Sequence, residues 1–367
     1  MAKVTGLEGV VAGETDIGLV DGEKGYLVYR GYWAKELAVG KSYEEVAYLL
    51  WNGHLPSPEA LAQLKQEMAA SRVMPPYLCG MIDLIPASVP LMLVLQSAVA
   101  ALGEPENAAW PPTLKQAVRL TSVLPTIIAY RYRKLQGLPV VEPLSELGHA
   151  ANYLYMLSGK IPENAQVQAL SAYLILCMEH GMNASTFAGR VVLSTESDMC
   201  AAVCGSIGAM KGPLHGGAPS EVISMLEEIG TKERAEAWIR NVLDSGGKIM
   251  GFGHRIYKTK DPRAEALQIA TQEMIGKDDS FDLAIHVENT AIALLNEYKP
   301  GRRLFTNVEF YAAAILRALA LDPEIFTPTF TSGRIVGWTA HILEQAGSNR
   351  IFRPQSIYTG PMPAADM

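Results

Sequence analysis

The stretch SYEEVAYLLWNG, residues 42–53, carries the grammar that decides the fold class. Ser42 and Glu45 stand three apart, the spacing of a capping box in which each side chain takes the other's free backbone N–H. An apolar run over 46–51 follows, and Gly53 suits the left-handed stop of a helix. The same pattern repeats outward. Ser57-Pro58 sets a capping hydroxyl and a first-turn proline ahead of ALAQLKQEMAAS. Further helical runs are expected over 91–102, 114–136, 144–158, 167–193 (interrupted near Gly181), 219–229, 232–243, 282–298, 308–321 and 332–345. Residues 1–33 read otherwise. Glycines punctuate short apolar runs there, predicting small strands or a hairpin with a turn at Asp21-Gly22. Strand–helix alternation is missing, so a parallel sheet is excluded and the expected class is all-α (mainly α) with a small N-terminal β-hairpin region.

The chain has 367 residues, of which 49% are hydrophobic and 19% charged, which excludes a disordered polymer. Its length suits about two domains. Lys plus Arg total 31 against 38 Asp plus Glu, for a net charge of −7. That balance argues against a nucleic-acid binder, whose affinity rests on neutralising phosphates. An anionic ligand must instead meet a local cluster of cations. The four cysteines do not form a disulfide scaffold. Cys200 and Cys204 lack a second pair or a nearby His, and read as small packing residues. The first 16 residues have no apolar core of a signal peptide, and no apolar run reaches 18 residues. The expectation is therefore a cytoplasmic protein with no membrane partner.

A few polar residues stand in settings that invite chemistry. His215 lies in KGPLHGG (211–217), just before a helix start, where the dipole favours a neutral imidazole able to donate a hydrogen bond. The alternative is a turn His that satisfies nearby backbone groups. His254 lies in KIMGFGHRIYKTKDPR (248–263), where Lys248, Arg255, Lys258, Lys260 and Arg263 could wrap an anion. The alternative is a solvated basic loop. Glu309 lies in TNVEFY (306–311), inside a helix that Asn307 could cap. The helix N-terminus by itself would lower its pKa. Local pattern alone makes it an ordinary first-turn residue. His180 and Asn183 break a helical run at Gly181. His54, His149, His286 and His341 read as structural, and Arg334 and Arg353, taken alone, as surface residues. H-E-x-x-H, P-loop, G-x-S-x-G and paired C-x-x-C motifs are all missing, so metal and serine hydrolysis lack support, and no metal site is expected.

Taken in order, these segments resemble the citrate synthase family, in its short bacterial and archaeal form. DGEKGYLVYRGY (21–32), HGMNASTF (180–187), GPLHGG (212–217), MGFGHRIYKTKDPR (250–263), NVEFY (307–311) and RPQ (353–355) carry the likeness over nearly the whole chain. The resemblance implies an all-α homodimer with a large domain of 1–216 plus 321–367 and a small domain of 217–320 inserted between. It implies condensation of acetyl-CoA with oxaloacetate and water to give citrate, with a CoA thioester as co-substrate and no prosthetic group. Glu309 would be the base, His215 the donor to the thioester oxygen, and His254 the acid at the oxaloacetate carbonyl. His180, Arg263, Arg334 and Arg353 would hold the oxaloacetate carboxylates, with Arg353 reaching the partner's site. Lys248, Ile249, Met250, Gly251 and Phe252 would receive the adenine end of CoA. The family's base is normally Asp, so Glu309 implies a slow enzyme. Use of propionyl-CoA, giving 2-methylcitrate, is one alternative. A weakly active or non-catalytic CoA- or citrate-binding paralogue is another.

Overall fold

The computed structural model describes residues 5–7, 9–103, 109–216, 218–253, 257, 259–276, 278–301 and 304–362. His254, Arg255, Lys258 and Gly217, singled out above, lie outside the described residues. The mainly α class is borne out: sixteen α-helices and one three-stranded antiparallel sheet occur among the described residues.

The sheet is β1 (Gly18–Asp21), β2 (Tyr26–Tyr29) and β3 (Tyr32–Trp33). Asp21 pairs with Tyr26, leaving a four-residue loop whose backbone N–H groups at Glu23 and Lys24 bond to Asp21 Oδ1. The loop closes on Gly25 at φ +70°, a conformation that costs glycine little. The turn predicted at Asp21-Gly22 is therefore present.

Helices α1 (Ala34–Gly40), α2 (Tyr43–Asn52), α3 (Pro58–Ala70), α4 (Pro76–Leu84), α5 (Leu91–Ala101) and α6 (Leu114–Leu135) come next. The capping box of Ser42 and Glu45 is formed, and Gly53 ends α2 at φ +83°. Then follow α7 (His149–Ser158), α8 (Asn164–Met178), α9 (Ala184–Leu193) and α10 (Met199–Met210). The run expected from 144 begins only at His149. Leu144 is tied in a loop instead, its N–H to Asn152 Oδ1 and its carbonyl to Arg72. The chain continues through α11 (Ala218–Ile229), α12 (Lys232–Asp244), α13 (Pro262–Ala270), α14 (Asp279–Tyr298) and α15 (Val308–Ala318) to α16 (Phe326–Gly347). Among the described residues, no helix is long and apolar enough to cross a membrane.

Helix α16 is the axis of the fold and packs against α2, α6, α8, α9 and α10. Its crossing with α8 is a backbone-to-backbone contact. A Cβ on Gly333 would lie 3.0 Å from the Leu174 carbonyl oxygen, and one on Gly337 would run into that of Met178. Tyr29 of β2 plugs the end of α8, its hydroxyl 2.9 Å from the Glu179 carbonyl oxygen. Bonds of this kind satisfy carbonyls that a helix end leaves open. Helices α11, α12, α14 and α15 pack mainly on one another, while α13 also meets α1 and α8.

Candidate active site

The close crossing of α8 and α16 carries buried polar groups into the interior. Arg334 is 2% exposed, although an isolated Arg there reads as a surface residue. Its Nε donates to the Cys177 carbonyl at the end of α8, and its guanidinium lies over the Phe330 ring at 5.1 Å. One turn on, the Trp338 indole N–H donates to Ser185 Oγ at 3.0 Å.

Ser185 belongs to the first turn of α9. Asn183 caps that helix by accepting from Thr186 N at 3.1 Å, and its Oδ1 also lies 2.8 Å from Ser185 Oγ. On another side Ser185 Oγ stands 2.8 Å from His215 Nε2. Gly216 holds His215 in this place. A Cβ there would run into the Met210 carbonyl, and Thr327 Oγ1 donates to the Gly216 carbonyl at 2.9 Å. Burial, together with the nearby Arg334 charge, lowers the His215 pKa to about 4. The imidazole is neutral at ordinary pH, as the sequence predicts, but desolvation is the main cause.

Glu309 arrives from the opposite side on the first turn of α15. Asn307 caps that helix, its Oδ1 accepting from Glu309 N at 3.0 Å and Phe310 N at 3.3 Å. Five hydrogen bonds pin the approach. Asn307 N donates to the Gly251 carbonyl at 2.9 Å, Asn307 Nδ2 to the Gly253 carbonyl at 2.8 Å, and Gly253 N to the Phe305 carbonyl at 2.7 Å. Glu288, on α14, accepts from Thr306 Oγ1 and Tyr311 OH, each at 2.6 Å. Gly251 must be glycine, because its φ is +84° and a Cβ would sit 2.8 Å from the Phe310 side chain. The loop expected to receive a CoA adenine is thus laid beside the helix that carries Glu309, with Ile249 buried and Lys248 exposed.

Among the described residues, no hydrogen bond or ion pair engages the Glu309 carboxylate. Its pKa is raised, against the lowering that the helix N-terminus alone would give. Burial is the largest cause; Arg263 and Arg334 pull it down and Asp261 pushes it up. Desolvation outweighs the dipole, although Glu309 keeps part of its surface exposed.

Arg263 is 6% exposed and forms a two-point pair with Asp261, at 3.0 Å from Nε and 2.9 Å from the terminal nitrogen. Burial alone would lower its pKa, but Asp261 outweighs it and holds the charge on. Asp261 also accepts from Arg263 N at 3.0 Å and Val308 N at 3.1 Å. One carboxylate therefore ties the start of α13 to the start of α15. The Arg263 guanidinium lies over the Tyr257 ring at 5.6 Å, and Tyr257 OH is 3.1 Å from His180 Nε2.

His180, His215, Arg263, Glu309 and Arg334 therefore share one region, linked by hydrogen bonds and mutual charge effects. Arg353 is not brought there within the chain. It is exposed on the irregular segment after α16, where Phe352 anchors against the Phe187 ring at 5.5 Å. Sequence reading missed Ser185, Trp338, Tyr257 and Asp261. Asp261 alone had a local signal, an Asp-Pro pair that marks a capped helix start. Among the described residues, no three His, Cys, Asp or Glu side chains cluster to hold a metal ion. Cys200 and Cys204 are free, with Cys200 buried and the Cys204 thiol donating to the Gln96 carbonyl at 3.3 Å.

A carboxylate with a raised pKa, a neutral imidazole and two buried guanidinium groups suit carbon-acid chemistry on an anionic substrate. The family model "Citrate synthase, C-terminal domain" matches residues 6–355. Citrate synthase 2 of Bacillus subtilis is 38% identical, over 98% of this chain and 97% of its own. The 2-methylcitrate synthase of Mycobacterium tuberculosis is 41% identical, over 97% of this chain and 90% of its own. The crystal structure of citrate synthase from Thermoplasma acidophilum, a ternary complex with carboxymethyl coenzyme A and oxaloacetate, superposes with a TM-score of 0.88. It is 27% identical and covers 99% of this chain and 97% of its own.

Proposed function

Since the chain belongs to the citrate synthase family and is a condensing acyltransferase of that type, we propose that it joins acetyl-CoA to oxaloacetate and, with water, releases citrate and CoA. The observation that carries this reading is the Glu309 carboxylate, unengaged among the described residues, with its pKa raised by burial beside two arginines.

The methyl group of a thioester is a very weak acid, so abstraction needs both a base and a donor at the developing enol oxygen. Glu309 takes the methyl proton, and its raised pKa strengthens it as a base. His215 donates to the thioester oxygen, a contact worth ~3 kcal/mol in comparable oxyanion sites. Ser185 accepts from the Trp338 indole and has one proton to give, to Asn183 Oδ1 or to His215 Nε2. The role assigned to His215 requires the second, which puts the imidazole proton on Nδ1. The enol carbon then attacks the oxaloacetate carbonyl, which His254 protonates, and water cleaves the citryl thioester.

Arg263, Arg334 and His180 hold the oxaloacetate carboxylates, each charge-assisted bond contributing ~1.5–3 kcal/mol. Asp261 fixes the Arg263 fork in advance, so less rotamer entropy is lost on binding. Arg353 completes the set from the partner of a homodimer, and its exposure on a segment that also exposes Ile351, Ile357 and Tyr358 favours that role. The loop 248–252 receives the CoA adenine through its backbone. We place the moving small domain at 217–320, because α11, α12, α14 and α15 pack chiefly on one another. No prosthetic group is required, and the location is cytoplasmic, which cell fractionation checks.

The 41% identity to a 2-methylcitrate synthase favours a second reading, use of propionyl-CoA. One methylene in an apolar pocket discriminates by only ~1–3 kcal/mol. Acetyl-CoA is taken as the leading substrate, with use of both thioesters compatible with the residues present. The test is oxaloacetate-dependent release of CoA thiol from acetyl-, propionyl- and butyryl-CoA. A higher kcat/KM with propionyl-CoA would make the second reading the right one, and no release from any thioester would overturn both.

A further inference from the structure

Directly before His180 stands Glu179, an acid that is 0% exposed. Its two carboxylate oxygens have separate duties. Oε1 accepts from Gly181 N at 2.5 Å, and Oε2 lies 3.0 Å from His341 Nε2. His341 is 0% exposed, and its Nδ1 accepts from Arg190 Nε at 3.0 Å. An arginine nitrogen can only donate. His341 must therefore keep its single ring proton on Nε2 and point it at Glu179. Arg190 is in turn held by Gln345 at 2.9 Å and by an ion pair with Glu344. Glu344 also accepts from Thr15 Oγ1 at 3.1 Å and Asp16 N at 3.0 Å.

The peptide that Glu179 grips is the one that leaves His180. The preceding carbonyl, that of Glu179 itself, accepts from Tyr29 OH at 2.9 Å. The backbone is thus fixed on both sides of His180, and Gly181 takes φ +63° to allow the turn. Burial alone would push the Glu179 pKa up, but His341 and Arg334 outweigh it, so the carboxylate stays charged. An apolar side chain would fill the same space with less desolvation cost. A fully buried charge aimed at one peptide beside a substrate-binding residue calls for another explanation than stability.

We propose that Glu179, with its hydrogen-bond relay through His341 to Arg190, is the positioning device for His180, and that it sets the affinity for oxaloacetate. The inference rests on the assignment of His180 to oxaloacetate binding. Both partners of the Glu179 carboxylate are donors, so a carboxamide there must turn its NH₂ toward one of them. Glu179→Gln therefore breaks one link of the device, at the Gly181 N–H or at His341, while changing almost no volume. His341→Gln keeps an N–H for Glu179 and an oxygen for Arg190, whereas His341→Leu removes both.

The experiment is steady-state kinetics on the full-length protein, with calorimetric binding of oxaloacetate and thermal melting of each variant. Wild-type turnover with oxaloacetate comes first, and its absence overturns the site reading itself. In an active enzyme, Glu179→Gln and His341→Leu are expected to raise the oxaloacetate KM about tenfold, with kcat and the acyl-CoA KM changed less than about threefold. His341→Gln is expected to keep the wild-type KM. Folded variants whose melting temperature falls while the oxaloacetate KM stays put would overturn the positioning role. If Glu179→Gln does not fold, the contrast between the two His341 variants decides alone: equal oxaloacetate KM values in both would contradict the relay.

Discussion

Arg334 and Trp338 sit on α16 and Glu179 just past the end of α8, where these two helices meet backbone to backbone, with Ser185 on the adjoining α9, whereas Glu309 is held by a short ladder of bonds between 251–253 and 305–307. The first region closes on Gly333 and Gly337, each of which leaves no room for a Cβ. Its polar groups are chained together, through the Arg190, His341 and Glu179 relay and the Trp338, Ser185 and His215 chain, although the buried Thr186 and Ser332 hydroxyls have no partner among the described residues. The second region relies on Asn307, Gly251 and Gly253, with Asp261 and Glu288 as braces. Groups proposed to recognise a rigid dianion are therefore built into the framework. The proposed base hangs on the part proposed above to be the moving domain. Precision at the recognition side and adjustability at the chemical side are what a two-step condensation asks of its scaffold.

The contrast can be broken most severely at its rigid side. Arg334→Gln removes a buried charge from the oxaloacetate side of the site and leaves the Cys177 carbonyl without its present donor. A fall in kcat/KM for oxaloacetate of about a hundredfold or more is expected; a loss below about fivefold would show that Arg334 serves packing only. Next come two glycines. Gly337→Ala drives a methyl into the Met178 carbonyl where neither helix can yield, so a loss of about 3 kcal/mol or more is expected in denaturant unfolding. Gly251→Ala strains a left-handed residue against Phe310, at about 1–2 kcal/mol. That variant is expected to lower turnover more than stability, because the strain falls beside Glu309. Equal stability losses at both positions would erase the distinction between framework and ladder.

Two smaller effects sharpen it. The Glu309 pKa is raised and the His215 pKa is lowered to about 4. Activity needs the carboxylate charged and the imidazole neutral. The acid limb of the kcat/KM profile is therefore expected above the ordinary carboxylate range and assigned to Glu309, with His215 silent down to about 4. The linkage has a definite sign. A carboxyl group whose folded pKa is raised contributes stability that is complete below its unfolded pKa and is lost as pH rises through the folded one. Glu309→Gln is thus expected to melt higher than wild type at pH 8 and to lose that advantage in acid. A variant that melts lower at pH 8 would contradict the raised pKa. Least of all, Trp338→Phe deletes the indole donor to Ser185 at nearly constant packing. It is expected to reduce kcat about fivefold, an energy near one neutral hydrogen bond, without moving the oxaloacetate KM.

Local sequence grammar read the helices well wherever a cap and a stop were both present. Ser42 to Gly53 is the clearest case, and Asn183 and Asn307 mark two other helix starts. It failed where an end is set by distant partners. Nothing near Leu144 announces that Arg72 and Asn152 will hold it out of a helix. Four helices passed unnoticed: α1, α4, α10 and α13. In α10 the small residues Ala201, Ala202, Gly205 and Gly208 blur the apolar period on which such reading depends. His215, His254 and Glu309 stood out as candidates from their local settings, whereas their roles, and Arg334 as a site residue at all, came from the ordered resemblance. The supporting shell was illegible for a physical reason. Ser185, Trp338, His341 and Arg190 gain their roles only from contacts across 150 or so residues, such as the 153-residue separation between Trp338 and Ser185.

Oxaloacetate-dependent liberation of CoA thiol from acetyl-CoA, compared between wild type and Glu309→Gln in folded preparations that both bind oxaloacetate, tests the proposed base most directly. Removal of a general base from a carbon-acid reaction costs roughly 10²–10⁴-fold, so wild type is expected to release thiol only with oxaloacetate and the variant to lose at least about a hundredfold in kcat. A variant that retains most of the wild-type turnover would mean that another group takes the methyl proton and that Glu309 is a helix-start residue and nothing more.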